Sequence, residues 1–361
     1  MKKMLFCVLV CLLCLPLFVS CSTNSLPKEE DIPCVTPSKG LVYQPDESDL
    51  GYIVTDKGEC TDTHVVIPET YLGKPVIAIG QGAFAGCYEI DAVTIPASIT
   101  RIENYAFSKC TGIKSIFLGK NITFISESAL FGCFGLQEFV VEQGNPRYSS
   151  VDHCLIDTES KTLVAICKNG TIPTDGSVIT IGNMVFYDRL DLTEITLPES
   201  IVSIGELAFN NCKNLTRINL GGKLQRVGEA AFQGCLKLTS IYLPESVTFV
   251  GSLAFNGCSA LTFIDIPYGT TELGDLTFGS CLNMTYMVIP SSVTLISGSA
   301  GNRCQRLETV YFHGTVQQWQ QISIWGTDNE IEDATRYYYS ESKPVAEGNY
   351  WHYVNGMPQA W

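Results

Sequence analysis

The sequence is poor in positive charge. Its 361 residues hold 23 Lys and Arg against 37 Asp and Glu, which gives a formal net charge of -14. Proteins that bind nucleic acids rely on a basic patch that contacts phosphates, and no such cluster occurs in this sequence. We therefore expect no DNA or RNA partner.

The motifs of enzymes and metal sites are also missing. The sequence contains no GxSxG elbow, P-loop or dinucleotide fingerprint. The four histidines are isolated, and none has the HExxH spacing of a zinc protease. The acidic run 328–333 could supply calcium ligands, but a solvated loop is the simpler interpretation. We predict a protein without enzymatic activity, cofactor or metal.

A long uncharged apolar run occurs only at the N-terminus, at residues 5–19, after two lysines. It is too short to span a bilayer comfortably and fits the core of a signal peptide. Ser20-Cys21 follows it and resembles a bacterial lipobox, in which the cysteine thiol is acylated. We predict a signal peptide at 1–20, lipidation of Cys21 and a flexible tether at 21–39. An ordinary signal peptide without a lipid is the alternative.

A 23-residue repeat organises most of the remaining chain. Residues 215–237, 238–260 and 261–283 begin with LTRINL, LTSIYL and LTFIDI and follow one another without a gap. The same register aligns Phe, Gly, Pro and Cys in separate ladders, which indicates a repeat architecture. The Cys ladder consists of residues 87, 110, 133, 212, 235, 258, 281 and 304.

One repeat predicts one coil of a solenoid. L-x-x-I-x-L is typical of a short strand, and Pro ends that strand because it has no N–H to donate. An extended stretch and a Gly turn follow, and the segment around Phe and Cys predicts one helical turn on the convex side. A single coil cannot bury its apolar residues, whereas stacked coils can, because equivalent positions then lie about 4.8 Å apart.

The recurring pattern I-P-x-S-V-x-x-I-G-x-x-A-F-x-x-C closely resembles the BspA-like leucine-rich repeats of surface proteins, here in a bacterial lipoprotein form. The resemblance covers roughly residues 40–315. It implies a right-handed, β-rich α/β horseshoe with short convex helical turns, a leucine-rich-repeat solenoid capped at both ends. It also implies a cell-surface or outer-envelope protein that is used for binding or adhesion. It identifies no ligand, because ligands differ between members of the family.

Two regions depart from the repeat. Cys133 and Arg189 hold equivalent positions but lie 56 residues apart, ten more than two repeats. Alternating apolar residues there predict a β-hairpin insert at about 143–172. The segment 316–361 is rich in aromatic residues, and we predict that it caps the last coil. A ligand-binding patch formed by the same aromatic residues is the alternative.

Sixteen cysteines in an exported chain raise the question of disulfides. We expect the ladder cysteines to be free, because each occupies the same buried position, where a thiol acts as a small hydrophobe. Parallel in-register side chains also make the disulfide torsion awkward. The candidate disulfides are Cys154–Cys167, on the two arms of the insert, and Cys34–Cys60.

The third and fifth positions of L-x-x-I-x-L point away from the core, onto the concave face. Most of these residues are small or polar, but each of the last four coils has one aromatic residue there. A merged aromatic patch with nearby charges is typical of a binding site, and the alternative is cross-strand packing that only stabilises the sheet. The candidate ligand-binding residues are Tyr242, Phe263, Tyr286, Tyr311, Asp265 and Arg217.

Two functions fit this sequence. The first is a lipid-anchored surface protein that recognises an extracellular protein or glycan through its repeat surface. The second is an envelope scaffold or spacer without a specific ligand. A spacer needs only polar residues on its exposed strands, whereas a binding face gathers large side chains.

Overall fold

The computed structural model describes residues 36–326 and 329–361. The predicted signal peptide, Cys21 and Cys34 lie outside these residues. The described chain winds into a β-solenoid of about 12 coils, which confirms the predicted fold class. No helix within it is long and apolar enough to cross a membrane.

The coils are built from short strands. In the first half of the chain these are β1 (Val42–Pro45), β2 (Tyr52–Asp56), β3 (His64–Val66), β4 (Thr70–Tyr71), β5 (Lys74–Ile79), β6 (Ala92–Ile95), β7 (Arg101–Ile102), β8 (Ser115–Leu118), β9 (Phe124–Ile125), β10 (Glu138–Val141), β11 (Tyr148–Val151), β12 (Cys154–Asp157), β13 (Thr162–Ile166) and β14 (Thr180–Ile181). In the second half they are β15 (Glu194–Thr196), β16 (Ser203–Ile204), β17 (Arg217–Asn219), β18 (Arg226–Val227), β19 (Phe249–Val250), β20 (Phe263–Asp265), β21 (Glu272–Leu273), β22 (Tyr286–Pro290), β23 (Leu295–Ser297), β24 (Thr309–His313), β25 (Ser323–Trp325), β26 (Thr335–Tyr339), β27 (Tyr350–Val354) and β28 (Met357–Ala360). Two helices, α1 (Val316–Trp319) and α2 (Glu330–Asp333), follow the repeats.

The strands form two walls along the solenoid. The L-x-x-I-x-L strands make the concave sheet, in the orders β3-β6-β8-β10, β15-β17 and β20-β22-β24, and the C-terminal strands β26, β27 and β28 extend the last part in that order. The extended stretches before each Gly make the back sheet, whose largest part runs β11-β12-β13-β14-β16-β18-β19. Neighbouring repeat strands are parallel and pair residues one repeat apart, such as Ser115 with Glu138. The 23-residue period therefore sets the register.

The core lies between these walls and the convex segments, and the Phe ladder runs along it. The rings of Phe209 and Phe232 stack 5.2 Å apart with planes 5° from parallel, and Phe255 and Phe278 stack in the same way at 5.7 Å. All four side chains are fully buried. Each ring covers the next, so no coil buries its Phe by itself.

The convex segments are not the predicted helical turns. Leu207 and Asn211 flank Phe209 and have φ values of 56° and 58°, in the left-handed region. In this segment every second N–H, from Leu207 through Phe209 to Asn211, points out of its own coil. Phe209 N, for example, donates to Ala231 O of the next coil at 2.8 Å. The hydrogen bonds that would have closed a helix instead join neighbouring coils.

The ladder cysteines also join coils. In the structure they are free, and the thiol of Cys258 donates from Sγ to Phe232 O of the preceding coil at 3.2 Å. Equivalent bonds of 2.8–3.3 Å are made by Cys110, Cys133, Cys212, Cys235, Cys281 and Cys304. The thiol is therefore a hydrogen-bond donor as well as a small apolar group.

The insert forms three antiparallel strands, β11, β12 and β13, and the turn between β12 and β13 lies at residues 158–161. It does not lie on the outside of the solenoid, because β13 pairs in parallel with β14 and takes a place in the back sheet. It also separates β10 from β15 and so interrupts the concave sheet.

The structure contradicts the Cys154–Cys167 disulfide, since both thiols are free. Cys154 stands opposite Ile166 in the β12–β13 pairing, and adjacent residues of a strand point to opposite faces. Cys154 therefore packs in one hydrophobic cluster and Cys167 in the other. Cys60 is also free and buried, but its predicted partner Cys34 lies outside the described residues.

The reactivity of the ladder thiols tests the fold, because burial protects them from alkylation in the native chain. Burial raises the pKa of Cys258 to about 12, so that only about one thiol in 10⁴ is ionised at pH 8. We expect iodoacetamide to label, among the ladder cysteines of the native chain, only the half-buried Cys87. After unfolding without a reductant, mass spectrometry should find all eight ladder cysteines labelled. Disulfide-linked ladder peptides would contradict this prediction.

Candidate ligand-binding site on the concave sheet

The candidate site lies on the concave sheet, where β20, β22 and β24 run side by side. Phe263 and Asp265 alternate with the fully buried Ile264, so both project from the face opposite the core. Phe263 pairs in register with Tyr286, and Val288 pairs with Tyr311. The strand pairing therefore brings together four of the six predicted residues, Phe263, Asp265, Tyr286 and Tyr311.

The aromatic rings of these strands are in contact. Phe263 and Tyr286 stack with ring centroids 5.2 Å apart, and Tyr286 meets Tyr311 edge-on at 5.7 Å. The series continues beyond the predicted patch, because Tyr311 packs against Tyr337 of β26 at 5.7 Å. The result is one continuous, half-buried aromatic surface across four strands.

The C-terminal hairpin of β27 and β28 forms one end of this surface. Trp351 is fully buried, and its ring packs against Tyr311 at 5.4 Å and Tyr339 at 5.2 Å. Its indole Nε1 donates to Phe312 O at 2.9 Å. The segment predicted as a cap therefore covers the end of the sheet and also contributes side chains to the site.

Asp265 is the charged group of the site. Its Oδ2 accepts a hydrogen bond from the hydroxyl of Tyr353 at 3.3 Å, although the two residues are 88 positions apart. Burial raises the pKa of Asp265 to about 6, the Tyr353 hydrogen bond opposes this shift, and the Glu245 carboxylate adds to it. Burial also raises the pKa of Tyr286. The Tyr286 hydroxyl is buried and has no partner among the described residues.

Tyr242 and Arg217 lie outside this cluster. The Tyr242 side chain is 75% exposed, and its ring contacts no other ring in the part of the chain that the structure describes. Its segment forms no strand, so it separates β17 from β20. Arg217 is exposed on β17, in a different part of the concave sheet from Asp265. The two residues are therefore free to contact a partner beside the cluster.

Sequence reasoning missed Tyr337, Trp351 and Tyr353 as members of the site. These residues follow no 23-residue period, so no ladder assigns them to a face. The alternation of Trp351 and Tyr353 within one strand was the available signal, since alternate residues share a face. The site offers aromatic surface, one carboxylate and hydroxyl groups. No cluster of His, Cys, Asp and Glu that could hold a metal occurs among the described residues.

Comparisons with known proteins agree with this architecture. The family model of the BspA type leucine rich repeat region matches six copies, over residues 59–153 and 179–308. A leucine-rich repeat protein from Eubacterium ventriosum ATCC 27560 has a similar structure with a TM-score of 0.53 and 18% identity, covering 82% of this chain and 87% of that one. No curated protein matches the sequence.

Two further solved structures are similar at lower TM-scores. A leucine rich cell surface protein from Faecalibacterium prausnitzii A2-165 is 20% identical with a TM-score of 0.42, over 81% of this chain and 98% of that one. A leucine-rich repeat protein from Bacteroides ovatus ATCC 8483 is 20% identical with a TM-score of 0.46, over 85% and 79%. At this identity the solved structures show the fold alone.

Asp265 gives the site a measurable dependence on pH. The folded chain keeps this carboxyl protonated up to about pH 6, whereas the unfolded chain loses the proton near its ordinary pKa of 3.8. Its contribution to the free energy of unfolding therefore falls as the pH rises between these values. We expect Asp265→Asn to gain stability relative to the native chain between about pH 4 and pH 7 in urea unfolding.

Asp62→Asn is the matched control, because Asp62 is exposed. Its stability relative to the native chain should change little over the same pH range. If Asp265→Asn differs from the native chain by the same free energy at both ends of the range, Asp265 titrates as an ordinary exposed carboxyl.

Proposed function

Because the chain belongs to the family of BspA-type leucine-rich repeat proteins, we propose that it is a non-enzymatic binding protein of the cell surface. Its partner is an extracellular protein, which it contacts through the concave sheet. Membership of this family suggests the surface location. The observation that carries the proposal is the aromatic cluster around Asp265, on a face that is small or polar in most other coils.

The chemistry of the cluster favours a partner with a basic side chain next to apolar groups. Asp265 places negative charge beside the rings of Phe263 and Tyr286. The Glu245 carboxylate is close enough to Asp265 to interact with it. No Lys or Arg forms an ion pair with either carboxylate in the described residues. A Lys or Arg side chain can pair with a carboxylate and lie over an aromatic face at the same time. The net charge of -14 also attracts a basic partner at long range.

A spacer without a ligand explains this surface less well. A solvated sheet requires only polar side chains, yet Tyr242 leaves a large aromatic ring exposed that packs against no other ring in the described chain. The Tyr286 hydroxyl remains buried and unpartnered among the described residues, which costs free energy unless another group satisfies it. Both features favour a surface that another molecule contacts.

The N-terminal sequence supports export and attachment to a membrane. The run at 5–19 and Ser20-Cys21 have the form of a lipoprotein signal. We propose that a lipid on Cys21 holds the chain at the membrane, and that the predicted tether at 21–39 links the lipid to the solenoid.

The concave site can be tested on an extracellular protein that the purified chain captures in a pull-down. Tyr242→Ser/Phe263→Ser removes one exposed ring and one half-buried ring, and Asp265→Asn removes the charge. We expect each variant to raise the Kd about tenfold or more, because a few aromatic and charged residues carry most of the binding free energy of an interface. Binding should also strengthen as the pH rises from about 5 to about 7, since the ionised carboxylate of Asp265 is required.

Tyr268→Ser is the matched control, because this tyrosine is 58% exposed but lies outside the cluster. It should bind like the native chain. Unchanged binding by both site variants, with native melting temperatures, would place the contact elsewhere. Capture of a glycan in place of a protein, lost in the concave-site variants, would overturn the proposed class of partner.

Lipid attachment can be tested with Cys21→Ser. This change removes the only thiol that a lipobox at this position could acylate, so we expect the protein to move from the membrane fraction to the soluble fraction. Membrane fractions separated by centrifugation and probed for the chain provide the measurement. A Cys21→Ser protein that remains with the membrane would show that another feature anchors it.

A further inference from the structure

A groove on the convex side of the solenoid lies at the joint where the insert breaks the period. Its volume is about 550 Å³, and eleven residues line it. They come from six successive convex segments, which at the spacing of stacked strands gives a length of about 25 Å. The groove is separate from the concave site, with which it shares no residue.

The position after each ladder Phe supplies much of the lining. This position is small or polar in most coils, but it is Tyr187 after the insert and Phe131 before it, where Leu130 holds the ladder position. The two rings meet edge-on at 4.8 Å. No backbone hydrogen bond joins the convex segments 127–133 and 183–189 in the described chain, so the rings replace the usual backbone contact at this joint.

Side-chain amides continue the same line beyond the rings. Asn210 Nδ2 donates to Gln233 Oε1 at 2.9 Å, and Asn256 follows one coil later. Within the described residues, the Gln233 Nε2 and the side-chain amide of Asn256 make no hydrogen bond. Both side chains are half-buried in the groove, so their donors and acceptors face any molecule that lies there.

None of the eleven lining side chains carries a charge, although the chain as a whole has a net charge of -14. An anionic ligand would need basic residues, and a cationic ligand would use the acidic residues that are common elsewhere on the surface. The lining therefore matches an uncharged ligand with many hydroxyl groups. Amides can donate to one hydroxyl and accept from its neighbour, while aromatic rings pack against C–H faces.

From this lining we propose that the convex groove binds a neutral oligosaccharide. Its sugar rings lie against Tyr105, which is 43% exposed, and the outer part of Tyr187. Its hydroxyls bond the free amide groups of Gln233 and Asn256. The length of the groove suits a chain of several sugars rather than a single one.

The test measures binding of the full-length chain by titration calorimetry. The probes are neutral oligosaccharides of hexoses and N-acetylhexosamines, a sulfated oligosaccharide of the same length and an uncharged peptide. We expect at least one neutral oligosaccharide to bind and the other two probes not to bind. Gln233→Ala/Asn256→Ala should raise its Kd about tenfold or more, because two hydrogen bonds are lost.

A second variant, Tyr105→Ala, removes the exposed ring. It should fold normally, because Ala230 occupies the equivalent position with the same left-handed backbone, at a φ of 51° against 57° for Tyr105. We expect it to weaken oligosaccharide binding several-fold. The controls Gln137→Ala/Gln225→Ala, which remove exposed amides outside the groove, and Tyr242→Ser should bind the oligosaccharide like the native chain.

The proposal fails if no neutral oligosaccharide binds, or if the sulfated oligosaccharide or the peptide binds more tightly. It also fails if both groove variants, with native melting temperatures, bind like the native chain. The concave-site variants leave the groove intact. If they lose protein capture but still bind the oligosaccharide, the two sites are independent.

Discussion

Each coil of this solenoid satisfies its polar groups through its neighbours. The N–H of Phe209 bonds the carbonyl of Ala231 in the next coil, and the thiol of Cys235 bonds the carbonyl of Phe209 in the coil before it. The Phe rings stack along the same line. An isolated coil would leave these donors and acceptors without partners and its ring in water, so stability depends on stacking.

Because of this dependence, the two ends and the insert need other segments to cover coils that lack a regular neighbour. At the N-terminus the antiparallel pair of β1 and β2 covers the first coil, and at the C-terminus β27 and β28 do the same for the last. The insert joins the back sheet of the following coils because β13 pairs with β14, but β9 and β11 belong to different sheets. The concave sheet and the convex backbone hydrogen bonds are also interrupted there. The two hydrophobic clusters of the core meet at this joint.

The two candidate sites lie at positions whose side chains take no part in the buried ladders that hold the coils together. On the concave sheet, Asp265 and Phe263 project from strands whose buried residues already fix the register. On the convex side, the position after each Phe is free to be Tyr187, Asn210 or Gln233 without altering the ladder. Periodic positions hold the fold, and the variable positions between them are available for recognition.

The sequence by itself determined the solenoid, its register, the buried Phe and Cys ladders and four residues of the concave cluster. Each coil packs against coils of nearly the same sequence, so equivalent positions contact each other and the contacts of a coil can be predicted from its own residues. Only the tertiary structure decided the backbone of the convex segments, where left-handed residues recur at equivalent positions and replace the predicted helical turns. It also decided two features outside the period, the opposite faces of Cys154 and Cys167 and the contact of Tyr353 with Asp265. These last two join segments with no shared repeat position, so their geometry depends on how the rest of the chain folds.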